Sequence, residues 1–254
     1  MSATFHDLEG ASVFITGGGS GIGAALTDGF MGQGAQVAFV QRSDASGFCD
    51  EMAAKHGARP LFIPCDITDV AALKGAIDAA SAAHGPVTRL VNNAANDKRH
   101  DALEVDEDFY DWSMGINFKA YFFACQAVIP GMQAAGGGKI VNFSSISVMM
   151  GMGGLPLYTS SNNAIMGLTR SIARDYGPDG IRANAIAPGW VLTEKQLALW
   201  ADPEALAAHM ERQCLKEHLK PQDMIDPVLF LASDASRMMT AQTMVVDGGV
   251  VVTG

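Results

Sequence analysis

The sequence predicts one α/β domain, doubly wound, with a seven-stranded parallel sheet and helices on both faces. Three observations carry that expectation. Seven short β-rich runs punctuate the chain: 12–16, 36–40, 60–64, 88–92, 139–144, 181–186 and 243–247. Alanine-rich stretches of helical length separate them, at 21–33, 44–56, 69–84, 106–135, 157–177 and 221–233. A glycine-rich turn joins the first run to the first helix, as a dinucleotide-binding βαβ unit requires.

The strand runs justify the parallel reading individually. SVFIT and QVAFV are almost continuously apolar, the pattern of strands covered on both faces. No Pro-rich or Gly/Ser linker interrupts the alternation, so residues 1–254 read as a single domain with right-handed crossovers. Two segments break the rhythm. One is the Met/Gly-rich stretch 148–154; the other is the extended insertion at about 190–220. Both follow strand ends, where ligands of open α/β sheets bind, so the insertion is expected to be a substrate lid.

Composition narrows the function classes. With 48% hydrophobic and 17% charged residues the 254-residue chain is globular. A net charge of −10 argues against nucleic acid and anionic membrane surfaces as partners. Cys49, Cys65, Cys125 and Cys214 have neither CxxC nor metal-ligand spacing, so reduced thiols and no metal are expected. The start, Met1 to Asp7, lacks a basic region followed by an apolar one, and no apolar run reaches the roughly 20 residues of a bilayer span. The cytoplasm is the expected location.

After the first strand comes Thr16-Gly17-Gly18-Gly19-Ser20-Gly21-Ile22-Gly23. Gly17, Gly21 and Gly23 permit a tight turn and close approach of a pyrophosphate to the backbone. The free N–H groups of the following helix would face that anion. The expected architecture is thus Rossmann-type. The second strand ends in Gln41-Arg42 rather than an acid, which favours NADP, while Asp44 nearby keeps NAD acceptable.

Alcohol oxidation by a nicotinamide needs a base for the hydroxyl proton and donors for the developing alkoxide. Ser145, past the fifth strand, and Tyr158, opening the next helix, suit those roles. A phenol with a pKa of about 10 needs a nearby cation to ionise at neutral pH. One helical turn after Tyr158 stands Asn162, which brings no charge.

These pieces together resemble the short-chain dehydrogenase/reductase family over essentially the whole chain. The resemblance rests on the glycine motif, Asp66 with Ile67, Asn92-Asn93-Ala94-Ala95, Asn117, Ser145, Tyr158, and Pro188-Gly189 followed by Val191 and Thr193. It implies dinucleotide binding by Gly17, Gly19, Ser20, Gly21, Ile22, Gly23, Gln41, Arg42, Asp66, Ile67, Asn92, Ala94, Pro188, Gly189, Val191 and Thr193. Within that set, Asp66 would bond the adenine amino group, Asn92 would support the wall beside the adenosine, and Thr193 would reach the carboxamide. Catalysis would fall to Asn117, Ser145, Tyr158 and position 162, where the family carries Lys and this chain Asn. Asn117 would hold a water connecting that Lys to solvent. The fourth-strand motif ends in Ala95 where the family has Gly, a departure expected to tighten the turn.

The sequence Asn96-Asp97-Lys98-Arg99-His100 and the lid's Gln213-Cys214-Leu215-Lys216 resemble bacterial aldose 1-dehydrogenases, which oxidise the anomeric carbon to a lactone. Asn96, Arg99, His100, Ser147 and Trp190 would contact a sugar. Methionines 149, 150 and 152 suit an apolar ketone or hydroxysteroid instead. A deoxy-sugar-acid dehydrogenase and a non-catalytic nucleotide-binding module are further alternatives. Asn162 reads as an inactivating substitution that holds substrate without turnover, or as native to a weakly active protein; the otherwise complete site favours the first. The family also implies a homotetramer paired through the helices of 106–135 and 157–177.

Overall fold

The computed structural model describes residues 3–252; the first two and last two positions of the expected 1–254 domain lie outside the described residues. Seven strands form: β1 (Ser12–Thr16), β2 (Gln36–Gln41), β3 (Leu61–Pro64), β4 (Arg89–Asn92), β5 (Gly138–Phe143), β6 (Ile181–Pro188) and β7 (Thr243–Val246). All pair in parallel, in the order β3-β2-β1-β4-β5-β6-β7. The order reverses between β1 and β4, which opens a crevice at their carboxyl ends.

The side-chain alternation of the strands divides the core into two. Val13, Ile15, Val37, Phe39, Val91 and Val141 enter one layer; Phe14, Ala38, Val40, Leu90 and Ile140 enter the other. Each layer is covered by helices, so the strands are apolar on both faces as the sequence requires.

The helices are α1 (Gly21–Gly32), α2 (Ser46–His56), α3 (Val70–His84), α4 (Glu107–Met114), α5 (Ala120–Ala134), α6 (Ser147–Met150), α7 (Pro156–Tyr176), α8 (Glu194–Leu199), α9 (Pro203–Arg212) and α10 (Ile225–Ala232). Their starts are chemically marked. Asp69 accepts from Ala71 N and Ala72 N ahead of α3, Asp106 from Phe109 N ahead of α4, and Asp202 from Ala205 N ahead of α9. The stretch 106–135, expected as one helix, is two: a five-residue π-helical turn, Gly115–Lys119, separates α4 from α5. No helix among the described residues is long and apolar enough to cross a membrane.

A buried polar relay fixes the centre of the sheet to α7. Asn92 and Asn142 are register partners on β4 and β5. Asn92 Nδ2 donates to Asn142 Oδ1 at 2.9 Å, Asn142 Nδ2 to Thr169 Oγ1 at 3.0 Å, and Thr169 Oγ1 to Ile165 O at 2.8 Å. All three side chains are buried. Removing the middle member takes one hydrogen bond from each of two buried neighbours, leaving Asn92 Nδ2 with only its 3.4 Å contact to Cys125 Sγ and Thr169 Oγ1 with only its bond to Ile165 O. Asn142→Ala is expected to lower unfolding free energy by about 1–3 kcal/mol, read from the shift of a urea transition midpoint.

Candidate active site

A cleft of about 1310 Å³ runs along the carboxyl edge of the sheet. One half is walled by the β1–α1 turn and the ends of β2 and β3. The other is walled by the loop after β4, the start of α7 and the segment 190–212.

The dinucleotide half begins with the glycine turn. Gly17 and Gly21 have φ of +71° and +52°, left-handed values that a side chain would strain. Gly23 does a different job: a Cβ there would stand 1.8 Å from the Gly17 carbonyl oxygen, so its bare backbone lets α1 seat against the turn. Gly18 is equally constrained, its Cβ falling 2.4 Å from Phe39 Cβ, a requirement the motif reading missed. Ser20, preceding α1, makes no side-chain cap, so the first N–H groups of α1 are left for a ligand. Gly17, Ser20, Gly21 and Ile22 line the cleft, whereas Gly19 and Gly23 do not. This cradle fits a pyrophosphate.

Gln41 Oε1 accepts from Gly19 N at 3.0 Å and its Nε2 donates to Ser43 O at 3.0 Å, so its amide clasps the turn to the end of β2. Arg42 sits at the rim, largely exposed, 3.8 Å from Asp66. Asp44 is turned away: it accepts from Ser46 N and Ser46 Oγ, and it does not line the cleft. Asp66 and Ile67 do line it, and Asp66 accepts from Thr68 N and Oγ1. The Thr68 backbone bond is the main reason its carboxyl titrates below the usual range. Ala94, Pro188, Gly189, Val191 and Thr193 complete this half.

Three further expected site residues do not line the cleft. Asn92, expected to support the wall beside the adenosine, is fully buried in the relay described above, behind the cleft surface. Its neighbour Asn93 does, donating from Nδ2 to Thr16 O and Gly17 O at 3.1 and 3.2 Å. Strand pairing could have told them apart, because Asn92 faces Asn142 in register while Asn93 follows the strand. Asn117, on the π-helical turn, also lies behind the wall. Its Oδ1 accepts from Asn96 N at 2.8 Å and its Nδ2 donates to Asn96 O at 3.0 Å. His100, expected on the sugar, does not line the cleft either. Its Nδ1 bonds Lys98 O at 2.9 Å, which leaves Nε2 to accept from Leu157 N at 3.2 Å in the first turn of α7. The Ala95 departure carries no strain, since among the described non-glycine residues only Ala241 has a positive φ.

Ser145, Tyr158 and Asn162 share the cleft with Asn96, Arg99, Ser147 and Trp190. α7 is docked so that this happens: Ser144 Oγ donates to the Asn162 carbonyl at 3.0 Å, joining the end of β5 to the turn after Tyr158. Asn162 Nδ2 donates back to the Tyr158 carbonyl at 2.8 Å. Burial pushes the Tyr158 phenol above its ordinary value and the Asp97 charge adds to that; bonding from Ser145 and Asn162 and the Arg99 charge offset only part. Lys139 cannot help, being paired with Asp234 at 2.8 Å. Ser147 Oγ is buried without a partner at the substrate end, a donor and acceptor available to a ligand hydroxyl. Trp200, His209 and Arg212, which the sequence reading left out, also line that end. They sit at or beyond the end of α8, far along the chain from any motif.

Fold and cleft together define a nicotinamide-dinucleotide oxidoreductase acting on CH–OH groups. Residues 17–251 match the family described as enoyl-(acyl carrier protein) reductase, and the chain belongs to the short-chain dehydrogenase/reductase family. It is 49% identical over 251 residues to "Probable galactose dehydrogenase GalD" of Rhizobium meliloti (strain 1021), covering 98% of each chain. It is 41% identical over 249 residues to D-xylose 1-dehydrogenase of Caulobacter vibrioides, again covering 98% of each. Among solved structures, the blue fluorescent protein from a metagenomic library in complex with NADPH superimposes with a TM-score of 0.87. That pair is 35% identical, over 96% of this chain and 99% of the other.

Gly23→Ala tests the cradle. The added methyl must displace the Gly17 carbonyl, so the variant is expected to lose measurable NAD(P)H binding by fluorescence titration. It should also lose about 1–3 kcal/mol of stability.

Proposed function

We propose that this chain oxidises the anomeric hydroxyl of an aldose to the lactone, at a rate that Asn162 holds down. The observation that carries the reading is the placement of Ser145 and Tyr158 in one cleft with Asn96, Arg99, Ser147 and the flat indole of Trp190. Polar groups and an aromatic face are what a sugar ring needs. The relatives named for galactose and D-xylose oxidation support the same substrate class.

When bound, NAD(P)+ would accept the hydride that leaves the anomeric carbon. Ser145 holds the substrate oxygen as negative charge develops, and Tyr158 takes its proton. With no lysine one turn on and only partial compensation from Arg99, the phenol is poorly prepared for that task, and Asn162 offers only a neutral hydrogen bond. We assign the pyrophosphate to the β1–α1 turn, the adenine to Asp66 and Ile67, and the carboxamide to Thr193. NADP is the proposed preference. Asp44, just past the end of β2, is spent on Ser46, while Arg42, largely exposed at the rim and only 3.8 Å from Asp66, carries the guanidinium that would grip a 2′-phosphate. Segment 190–220 is proposed as the substrate lid and the cytoplasm as the location. The proposed oligomer is a homotetramer, and Tyr110 and Phe122 leave apolar surface exposed on α4 and α5 for pairing.

Asn162 favours a second reading, a nucleotide-binding module without turnover. One assay separates the two. The native chain and Asn162→Lys are compared by reduced-nicotinamide absorbance with NAD+ and NADP+ against pentoses, hexoses, 6-deoxyhexoses and simple secondary alcohols. A sugar-dependent gain of about 10²–10⁴ in the variant is the expected result, the range of a restored general base. Inactivity of both proteins on every sugar, with cofactor binding intact, would favour the module; turnover of the secondary alcohols alone would favour a ketone reductase.

A further inference from the structure

Asp97 lines the cleft, and each of its carboxylate oxygens already accepts a hydrogen bond from the start of α8. Oδ1 accepts from Lys195 Nζ at 3.1 Å and Oδ2 from Gln196 Nε2 at 2.7 Å. Gln196 continues the chain, its Oε1 accepting from Trp190 Nε1 at 2.9 Å, and the Trp190 ring meets His209 of α9 edge-on with centroids 5.4 Å apart. The loop after β4 is thereby joined to the start of α8 and to the indole that faces the cleft.

The chemistry of this chain of groups is directional. An ionised carboxylate only accepts, an indole N–H only donates, and the Gln196 amide between them has one end of each kind. The amide therefore has a single orientation that satisfies both neighbours. Burial alone would raise the Asp97 carboxyl, but the bonds from Gln196 and Lys195 together with the Lys195 charge hold it below the ordinary range, so it is ionised at neutral pH.

We infer that Asp97 is a positioning residue: by fastening Lys195 and Gln196 it holds α8 across the cleft and sets the Trp190 indole as the wall for the sugar ring. The inference rests on the reading of this cleft as a sugar site. Asp97 has a second consequence, because its charge stands within reach of Tyr158. The groups that face Tyr158 are Asp97 and Arg99 from the loop after β4, Tyr121 from α5, Ser145 after β5, and Asn162 on its own helix. Among them Asp97 brings the negative charge and opposes the phenolate.

In Asp97→Asn the side chain accepts at one position only. If Lys195 keeps the oxygen, two amide N–H groups face each other, Gln196 turns over, and the Trp190 N–H loses its acceptor. Gln196→Met breaks the same link and leaves every charge in place. Amide hydrogen exchange across residues 194–199 reads the clasp without turnover, and both variants are expected to exchange about tenfold faster there, the order of one charge-assisted hydrogen bond. Both should raise the sugar KM about tenfold with a smaller change in kcat. Only Asp97→Asn should shift tyrosinate formation at Tyr158 to lower pH, identified by its loss in a Tyr158→Phe background. Unchanged exchange in both variants would overturn the inference, and so would equal tyrosinate shifts in the two. If no form oxidises a sugar, the functional reading fails, and the exchange result still decides the clasp.

Discussion

The docking of α7 onto the carboxyl end of β5 is the constraint on which the site depends. Three contacts impose it, each at a different level along the helix. Asn142 reaches Thr169 deep in the core, Ser144 holds the Asn162 carbonyl at the sheet edge, and His100 receives the Leu157 N–H at the start of the helix. A helix held at three levels along its length has no freedom to rotate. Tyr158 therefore enters the cleft beside Ser145, and position 162, one turn on, lies on the same face. The glycine turn on the other side of the crevice is fixed by an equally local device, the contact of Gly23 with the Gly17 carbonyl.

Electrostatics in the finished cleft work against the phenolate. Low exposure removes water from Tyr158, Asp97 contributes the wrong sign of charge, and Arg99 compensates only partly. The Arg99 guanidinium stands 5.1 Å from the ring centre of Trp200, which lines the same cleft. Asn162, one turn beyond Tyr158 on the same face of α7, brings a neutral amide to the cleft. Its Nδ2 also donates to the Tyr158 carbonyl. The phenol thus sits in a cleft whose combined burial and charge oppose its ionisation.

Much of this was legible in the residues. Strand positions followed from apolar runs, because both faces of the sheet are buried and few other patterns survive there. The glycine turn was legible because backbone geometry with positive φ at Gly17 and Gly21 leaves a compositional mark. What remained hidden depended on partners distant in sequence. Asn92 and Asn93 are chemically identical, and only the register of β4 against β5 sends one into the core and the other to the cleft. His100 looked like a ligand for substrate until the N-terminus of α7 proved to need an acceptor. The π-helical turn at 115–119 has no signal in periodicity, since it inserts a local widening into a continuous helical pattern.

The central claim is that position 162 controls the ionisation of Tyr158. An ultraviolet titration of tyrosinate on the native chain and on Asn162→Lys, each corrected by its Tyr158→Phe counterpart, measures this directly and needs neither substrate nor turnover. The account predicts that the native Tyr158 ionises above the ordinary phenol value of about 10, and that Lys brings it below that value. Coincident titration curves for the two proteins would contradict it.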